Sequence, residues 1–336
     1  MSKAPSIVVI GASAGGVDAI RVLTAALPAG FAAAVFVVLH VGAHKSELPW
    51  LLNQMGPLRA SHPEDGDPIR AGQIYVAPPD HHLLVESGHM RLTRGPRENW
   101  ARPAVDPLFR SAARAYGPGV IGVVLTGGLN DGTAGLFEVK QRGGMTVVQD
   151  PDDAADSGMP RSALRHVAVD HCLPLQDIAA LLATLVGKRQ PDPIMEEAKA
   201  AAPNGREDAM TAEYELDNPV AVTCPDCGGA VRRVELGTLT QFRCHIGHVY
   251  TADVMVAAQF SAMEWSLGAA MRALSERGEL CRQMAGKAHA VGDAGRALQW
   301  TAAMHEAKER TGALRDLLER KWMHPDDAEP SAPSGA

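Results

Sequence analysis

Up to about Lys188, short β-branched apolar runs alternate with segments that are long enough to form helices. Several of these runs are almost purely apolar, as expected for parallel strands that are buried on both faces. The alternation predicts an α/β domain built on a doubly wound, mostly parallel sheet. The predicted strands are Ile7–Ile10, Ala33–Leu39, Gln73–Ala77, Val120–Leu125, Met145–Gln149 and His166–Val169. The predicted helices include Val17–Leu27, Val105–Ala115 and Thr133–Arg142. Two alternating runs around Ser87-Gly88 predict an inserted β-hairpin.

The bulk composition excludes several classes of protein. The chain has 336 residues and a formal net charge of -7, which argues against broad binding to nucleic-acid phosphates. No apolar run approaches the roughly 18–20 residues of a membrane helix, and the N-terminus does not read as a signal peptide. Three of the five cysteines cluster with metal-ligand spacing, so a reducing cytoplasm is expected rather than a disulfide framework.

The remainder of the chain divides into four predicted segments. A linker rich in Pro, Ala and acidic residues is predicted over 189–219, followed by a compact cysteine module over 220–250. Apolar residues spaced by three and four then predict a helical hairpin over 251–323, interrupted at the sequence AVGDAG. The last residues, 324–336, are expected to be disordered.

The first predicted strand leads into the loop Gly11–Val17, which reads GASAGGV. Taken alone, this loop has three interpretations. A strand, a glycine turn and a helix can bind a dinucleotide, but Ser13 replaces the middle glycine of that fingerprint, and no Tyr has a Lys four residues later. The loop also satisfies G-x-S-x-G, in which a sharp turn exposes a nucleophilic serine. The third interpretation is a plain connector in which Ser13 caps the following helix.

Two other predicted strands end near side chains that would complete a hydrolytic site with Ser13. The second strand is followed by His40, and the strand Val120–Leu125 is followed by TGGLNDG, which contains Asp131. Asp131 alone could simply cap the helix that begins near Thr133. However, the carboxyl ends of parallel strands share one edge of the sheet, where ligands bind. A serine, an imidazole and a carboxylate at that edge make the arrangement of a catalytic triad.

Six blocks of the sequence resemble, in order, the CheB-type chemotaxis protein-glutamate methylesterases. They cover roughly residues 5–188 and read IGASAGG, VVLHVG, IYVAPPDHHL, RPAVDPLF, VVLTGGLNDG and GMPRSAL. Ala14 stands where that family usually has Thr, and Gly128 stands where its Met is expected. The receiver domain usual in the family is expected to be absent, since the first catalytic strand already begins at Ser6.

The resemblance implies a flavodoxin-like domain that hydrolyses γ-glutamyl methyl esters on the cytoplasmic helices of chemoreceptors and releases methanol. Some members also deamidate receptor glutamines, and none of this chemistry requires a cofactor. The site residues that the resemblance implies are the triad Ser13, His40 and Asp131 and, for the oxyanion, the backbone N–H groups of Ala14 and Gly128. Arg102 and Arg161 are candidates for contacting acidic receptor helices, and a surface or structural role for these arginines is the alternative.

The cysteine module predicts a structural zinc site. CPDCGG supplies Cys224 and Cys227, and FRCHIGH supplies Cys244, His245 and His248. The spacing C-x2-C, sixteen residues and C-x3-H suits a tetrahedral zinc ribbon. His248 is the predicted fourth ligand because the longer side chain suits the x3 spacing, and His245 is the alternative. With four protein ligands, the zinc would be structural and would have no open position for water.

The helical hairpin predicts a docking or homodimerisation element, and a plain two-helix core is the alternative. The leading function is thus a protein-glutamate methylesterase with a zinc-ribbon and helical arm, acting on a methylated chemoreceptor or a related signalling protein. The alternative is a weakly active or inactive regulatory scaffold on the same fold, which would bind its partners through the ribbon and the helices. Neither function involves nucleic acid or direct membrane insertion.

Overall fold

The structure, a computed structural model, describes residues 6–40, 46–188 and 219–320. It divides into two compact units, Met1–Val256 and Ala257–Ala336. Apart from Pro219, the predicted linker lies outside the described residues, and so does the predicted tail over 324–336.

The first unit contains a seven-stranded parallel sheet, as predicted. In chain order, the strands of this sheet and of a hairpin inserted in it are β1 (Ser6–Ala12), β2 (Ala33–Leu39), β3 (Arg59–Ser61), β4 (Gln73–Val76), the hairpin strands β5 (His82–Val85) and β6 (Met90–Thr93), β7 (Val120–Val124), β8 (Met145–Gln149) and β9 (His171–Leu173). The sheet order is β3-β4-β2-β1-β7-β8-β9, and β5 pairs with β6 as a separate antiparallel hairpin. The central strands β1 and β2 are buried along their whole length, which is why their sequences are apolar without alternation.

Helices cover both faces of this sheet. They are α1 (Gly16–Ala25), α2 (Leu48–Met55), α3 (Val105–Tyr116), α4 (Thr133–Gln141), α5 (Gly158–His166) and α6 (Leu175–Lys188). One buried apolar cluster joins α1, α2 and α6 to one face of the sheet. A second cluster joins α3, α4, α5 and the β5-β6 hairpin to the other face. The doubly wound architecture expected from the sequence is therefore confirmed.

One predicted strand is wrong. His166–Val169 was expected to be a strand, but α5 runs to His166 and the edge strand is His171–Leu173. The physical reason is that Met159, Ala163 and Val167 are four residues apart, which is the spacing of one helix face, and all three are buried against the sheet. The short elements β3 and α2 were not predicted because each carries too little periodic signal.

The cysteine module is a four-stranded antiparallel ribbon in the same unit as the sheet. Its strands, in spatial order, are β10 (Pro219–Thr223), β11 (Ala230–Leu236), β12 (Leu239–Cys244) and β13 (Val249–Thr251). The Val249 carbonyl accepts a hydrogen bond from the Asn99 N–H at 2.7 Å. At the other end of the ribbon, the Thr238 hydroxyl lies 2.8 Å from His166 Nδ1.

The second unit consists of a helical hairpin. Helix α7 (Ala252–Ala290) begins in the first unit and continues into the second, where α8 (Ala294–Glu319) follows. The interruption lies at the predicted position, and the Asp293 side chain accepts a hydrogen bond from the Arg296 N–H at the start of α8. Among the described residues, no helix is long and apolar enough to cross a membrane.

Candidate active site and metal site

The register of the two central strands places Ser13 beside His40. Ala12 at the end of β1 lies opposite Leu39 at the end of β2, so the next residue on each strand reaches the same sheet edge. The Ser13 hydroxyl oxygen is 3.2 Å from His40 Nδ1. Residues separated by a whole βαβ unit are thus brought into hydrogen-bond distance by parallel pairing alone.

Asp131 completes a continuous Ser–His–Asp chain. Its Oδ2 lies 2.8 Å from His40 Nε2, and its side chain is only 4% exposed. The carboxylate also accepts hydrogen bonds from the N–H groups of Val105 at 2.6 Å and Asp106 at 3.2 Å. Both N–H groups belong to the first turn of α3, where no helix carbonyl is available to accept from them. Asp131 therefore caps α3 rather than the helix that begins at Thr133.

Two buried carboxylates, those of Asp106 and Asp131, accept hydrogen bonds from the side-chain amide of Asn99. Burial by itself would raise the pKa of Asp131, but the hydrogen bond and charge of His40 and the Val105 N–H lower it below the ordinary value. Burial raises the pKa of Asp106 well above its ordinary value, and the charge of Asp131 raises it further. The Asn99 Nδ2 group donates to both, at 2.8 Å to Asp106 and 2.9 Å to Asp131. Negative charge is therefore favoured on Asp131, the carboxylate that faces His40.

The loop that carries Ser13 is held by a tight turn rather than by a serine cap. Helix α1 is preceded by Gly15, which has a φ of 73° and no side-chain cap, so Ser13 does not act as an N-cap. The Ser13 N–H donates to the Thr126 carbonyl at 2.9 Å, and the Thr126 hydroxyl donates to the Ala14 carbonyl at 2.8 Å. A Cβ on Gly127 would lie 2.8 Å from the Ser13 Cβ, so only glycine allows this approach.

The backbone groups predicted for the oxyanion lie at the same pocket. Ser13, Ala14 and Gly128 line a cavity of about 210 Å³, together with His40 and other residues from both sides of the sheet edge. Within the part of the chain that the structure describes, neither the Ala14 nor the Gly128 N–H has a hydrogen-bond acceptor. Free N–H groups next to a serine can stabilise a developing negative charge on a carbonyl oxygen.

The two predicted substrate-binding arginines lie outside the lining of this cavity. Arg102 donates twice to Asp80, from Nε at 2.9 Å and from Nη2 at 2.6 Å, and its side chain is 19% exposed. Arg161 is 60% exposed, and its Nε lies 3.0 Å from the Ser157 hydroxyl. A role for either residue in binding substrate stays a prediction.

Three residues around Asp131 were not predicted from the sequence: Asn99, Asn130 and Thr251. Asn99 has a φ of 49°, a conformation that asparagine tolerates better than most residues. The Thr251 N–H donates to Asn99 Oδ1 at 3.1 Å, and its hydroxyl lies 2.5 Å from Asn130 Oδ1. No periodic pattern marks these positions, because they come from a loop, a turn and the far end of the ribbon.

The second candidate site lies in the ribbon, where four side chains converge. The ligand atoms of Cys224, Cys227, Cys244 and His248 all lie within 4.8 Å of one another. Cys227 Sγ is 3.8 Å from Cys244 Sγ, and His248 Nδ1 is 3.4 Å from Cys244 Sγ. Tetrahedral Zn–S bonds of about 2.3 Å place sulfur atoms about 3.8 Å apart, so these four residues fit a zinc ion.

Groups around these four side chains support a metal site. Asp226 Oδ2 lies 3.9 Å from His248 Nε2, the ring nitrogen that points away from the sulfur atoms. This distance is longer than a hydrogen bond, so the carboxylate lies near the outer ring nitrogen without being bonded to it. The Tyr250 hydroxyl donates to Asp226 at 2.7 Å. His245 is not part of the cluster; its ring packs against Gly229, where a Cβ would lie 2.0 Å from a ring atom.

Comparisons with known proteins agree with the sheet and its site. The family described as CheB methylesterase matches residues 8–182. A Leptospira interrogans protein is 40% identical over 181 residues, which are 53% of this chain and 93% of that protein. A protein of Anaeromyxobacter dehalogenans named protein-glutamate methylesterase/protein-glutamine glutaminase 2 is 41% identical over 180 residues, 53% of each chain.

A solved structure extends the comparison to the fold. The crystal structure of the Thermotoga maritima CheB methylesterase catalytic domain is 34% identical, with a TM-score of 0.53. The match covers 54% of this chain and 99% of that one. Over the sheet and its flanking helices, the chain belongs to the CheB methylesterase family.

Proposed function

We propose that this protein is a protein-glutamate methylesterase, which hydrolyses γ-glutamyl methyl esters on chemoreceptor-like proteins and also deamidates glutamines. The observation that carries the proposal is the unbroken chain from Ser13 through His40 to Asp131 at the sheet edge, in a member of this family. Both reactions transfer an acyl group to serine and then to water, so one site serves both.

The reaction follows from the geometry. His40 Nδ1 accepts the Ser13 proton as the serine oxygen attacks the ester carbonyl, and Asp131 holds the opposite ring nitrogen as N–H. The N–H groups of Ala14 and Gly128 stabilise the oxyanion. His40 then protonates the departing methoxide, and methanol leaves. Water, deprotonated by His40, hydrolyses the acyl-serine to release a glutamate carboxylate and restore the hydroxyl.

The size and charge of the cavity support this class of substrate. Its volume of about 210 Å³ is below the roughly 300–1,000 Å³ of pockets for whole drug-sized ligands, which suits entry of a single side chain. Two carboxylates, Asp131 and Asp156, line it. Their negative charge favours an uncharged ester or amide over the carboxylate product, which assists product release.

Replacement of the nucleophile tests the proposal. Ser13→Ala should lower methanol release from methylated receptor fragments by about a thousandfold or more. Ser266→Ala, in the helical unit, is the matched control and should retain the rate. A serine-reactive phosphonate should label Ser13 only when His40 is intact. Folded wild-type protein that neither releases methanol nor reacts with the phosphonate would instead support the scaffold alternative.

The proposed substrate belongs to the cytoplasmic helices of a methylated chemoreceptor, so the proposed location is the cytoplasm. The relatives' names, protein-glutamate methylesterase/protein-glutamine glutaminase, support a glutamate methyl ester or a glutamine as the reacting side chain. Docking or self-association through α7 and α8 stays a prediction. Deleting 257–336 and comparing KM with kcat tests it: a rise in KM alone supports docking, and unchanged constants contradict it.

We also propose that the ribbon binds one structural zinc through Cys224, Cys227, Cys244 and His248. When bound, the ion would cross-link two turns of the ribbon and supply no catalytic chemistry, because all four positions are protein ligands. Metal analysis of protein purified without chelator should find about one zinc per chain. The Cys224→Ser, Cys227→Ser double variant should lose it. Wild-type protein without zinc would contradict the site.

A further inference from the structure

The last strand of the ribbon lies against the loop that supports the catalytic carboxylate. The Asn99 N–H donates to the Val249 carbonyl at 2.7 Å, and Glu98 forms a parallel bridge with Val249. Two residues later, Thr251 is fully buried and directs its hydroxyl and its N–H towards the active site. Strand β13 is therefore part of the wall around Asp131 as well as an edge of the ribbon.

The Asn99 carboxamide has one orientation that satisfies all of its neighbours. Its oxygen accepts from the Thr251 N–H, which leaves the NH₂ group to face Asp106 and Asp131. The reverse orientation would place the oxygen against two carboxylates and the NH₂ against a donor, which is unfavourable in a buried site. The Thr251 N–H therefore selects the orientation in which Asn99 donates to Asp131.

A second connection reaches Asp131 through its neighbour in the chain. The Thr251 hydroxyl donates to Asn130 Oδ1 at 2.5 Å, and Asn130 Nδ2 donates to Asp253 Oδ2 at 2.8 Å. Asn130 is 1% exposed and its bond with Thr251 is buried, whereas Asp253 is exposed to solvent. Both ends of the Asn130 side chain are thus held by residues at the junction of β13 and α7.

The position of β13 depends in turn on the candidate metal ligands of the ribbon. His248 directly precedes the strand, and its carbonyl accepts from the N–H of Cys244 at 3.0 Å. Strand β13 pairs with β12, which ends in Cys244. Two of the four candidate metal ligands therefore lie at the point from which β13 extends towards the active site.

We propose that the metal-binding ribbon is part of the catalytic centre: β13 holds Asn99 and Asn130, and these positioning residues orient Asp131 towards His40. Loss of the metal or of the Thr251 contacts lowers the rate of acyl transfer while Ser13 remains present. The inference rests on the proposed esterase function for its kinetic readout. It assigns the C-terminal module a role in catalysis that the catalytic sheet alone does not perform.

The test compares two threonines of the ribbon. Thr251→Val removes the hydroxyl from Asn130, and Thr251→Ser retains it. Thr240→Val is the matched control, because the Thr240 hydroxyl bonds to Glu235 within the ribbon. Thr251→Val should lower kcat about tenfold with KM within about twofold of wild type, the signature of lost transition-state alignment. Thr251→Ser should restore kcat, and Thr240→Val should not change it.

A second arm tests the Asn99 connection and the metal. Asn99→Gly, which accommodates the positive φ at this position, should slow phosphonate labelling of Ser13 by about a hundredfold. Removal of metal from wild-type protein should slow labelling by about tenfold or more, and zinc should restore it. If Thr251→Val, Asn99→Gly and the metal-free protein all react like wild type, the inference is overturned.

Failure of the proposed function gives a different result. If receptor fragments release no methanol but Ser13 labelling still depends on Asn99 and Thr251, the substrate is wrong and the inference stands. If wild-type Ser13 is not labelled at all, hydrogen–deuterium exchange tests whether the ribbon still positions Asp131. The N–H groups of Val105 and Asp106, held by Asp131, should exchange faster in Thr251→Val and in metal-free protein than in Thr240→Val. Equal exchange in all three would overturn the inference.

Discussion

In the parallel sheet, β1 and β2 are buried at every position, whereas β11 of the ribbon alternates between buried, half-buried and exposed residues. Each fully buried Val, Ile or Leu contributes about 1.5–3 kcal/mol, so the sheet gains enough from burial to hold its strands in register. The ribbon has far fewer such residues and instead brings three cysteines and a histidine together. Small modules of this kind depend on metal for their folding.

This difference matters because residues from both regions form the proposed active site. Ser13 and His40 extend from strands that the apolar core supports, so their mutual position follows from the sheet. Asp131 lies in the loop between β7 and α4, and its carboxylate is held by N–H groups at the start of α3. Asn99 and Thr251 connect it to the ribbon.

The largest effect is expected from replacement of the proposed metal ligands. The Cys227→Ser, Cys244→Ser double variant should lose hydrogen-exchange protection over 219–251, because structural zinc contributes about 10–16 kcal/mol to such sites. The N–H groups of β1 should stay protected. Cys172→Ser, on the edge strand β9, is the control and should leave the ribbon protected. A ribbon that remained protected without its ligands would show that burial alone supports it.

The next largest effect is expected at the catalytic carboxylate. Asp131→Asn should lower kcat by about 10⁴, because the amide no longer holds His40 in the productive tautomer. Asp156→Asn is the matched control within the same cavity, and it should change kcat by less than about tenfold. Steady-state methanol release measures both. Equal losses in the two variants would contradict the assignment of Asp131 as the partner of His40.

Replacing one phenylalanine in the sheet and one in the ribbon compares how much burial stabilises each region. Phe36 on β2 is fully buried and stacks on Tyr75 with ring centroids 5.3 Å apart, whereas Phe242 on β12 is half-buried. Phe36→Ala should lower the free energy of unfolding by about 3–5 kcal/mol. Phe242→Ala should lower it by about 1–2 kcal/mol. Urea unfolding checks both values, and a larger loss at Phe242 would contradict the view that burial stabilises mainly the sheet.

The smallest effect is expected at an ion pair on the sheet edge. Burial tends to raise the pKa of Asp170, but Lys140 and the N–H and hydroxyl of Thr146 lower it below its ordinary value. A lowered folded-state pKa contributes stability above the unfolded value of about 3.8, which is lost as the pH falls through the folded value. Asp170→Asn should therefore cost about 0.5–1 kcal/mol at pH 7 and less near pH 3.

The matched ribbon variant for this prediction is Glu235→Gln. Hydrogen bonds from Thr240 and Arg233 lower the pKa of Glu235, but this side chain is exposed to solvent. Its replacement should have no measurable effect on unfolding at either pH, because exposed ion pairs contribute little. A cost for Asp170→Asn that grew at acidic pH would contradict the assigned direction of its pKa.

Local patterns in the sequence were sufficient for several elements. Continuous apolar runs identified β1, β2, β7 and β8 because strands buried on both faces need no polar positions. The hairpin at Ser87-Gly88 followed from alternation around a turn. The strand expected at His166–Val169 failed because a four-residue apolar run does not distinguish the end of a helix from an edge strand. The compact units divide at Val256, inside α7, and the predicted boundary at residue 250 between the cysteine module and the hairpin stays a prediction.

The sequence by itself determined the class of fold, the convergence of Ser13 and His40 on one sheet edge, and the Cys–Cys–Cys–His spacing. These depend on short-range periodicity and on the geometry of parallel strands, which any such chain must obey. Only the tertiary structure decided that Asp131 caps α3, that His248 rather than His245 lies with the cysteines, and that β13 reaches Asn99. Those contacts join residues up to 152 positions apart, and they depend on how two regions pack together rather than on any local pattern.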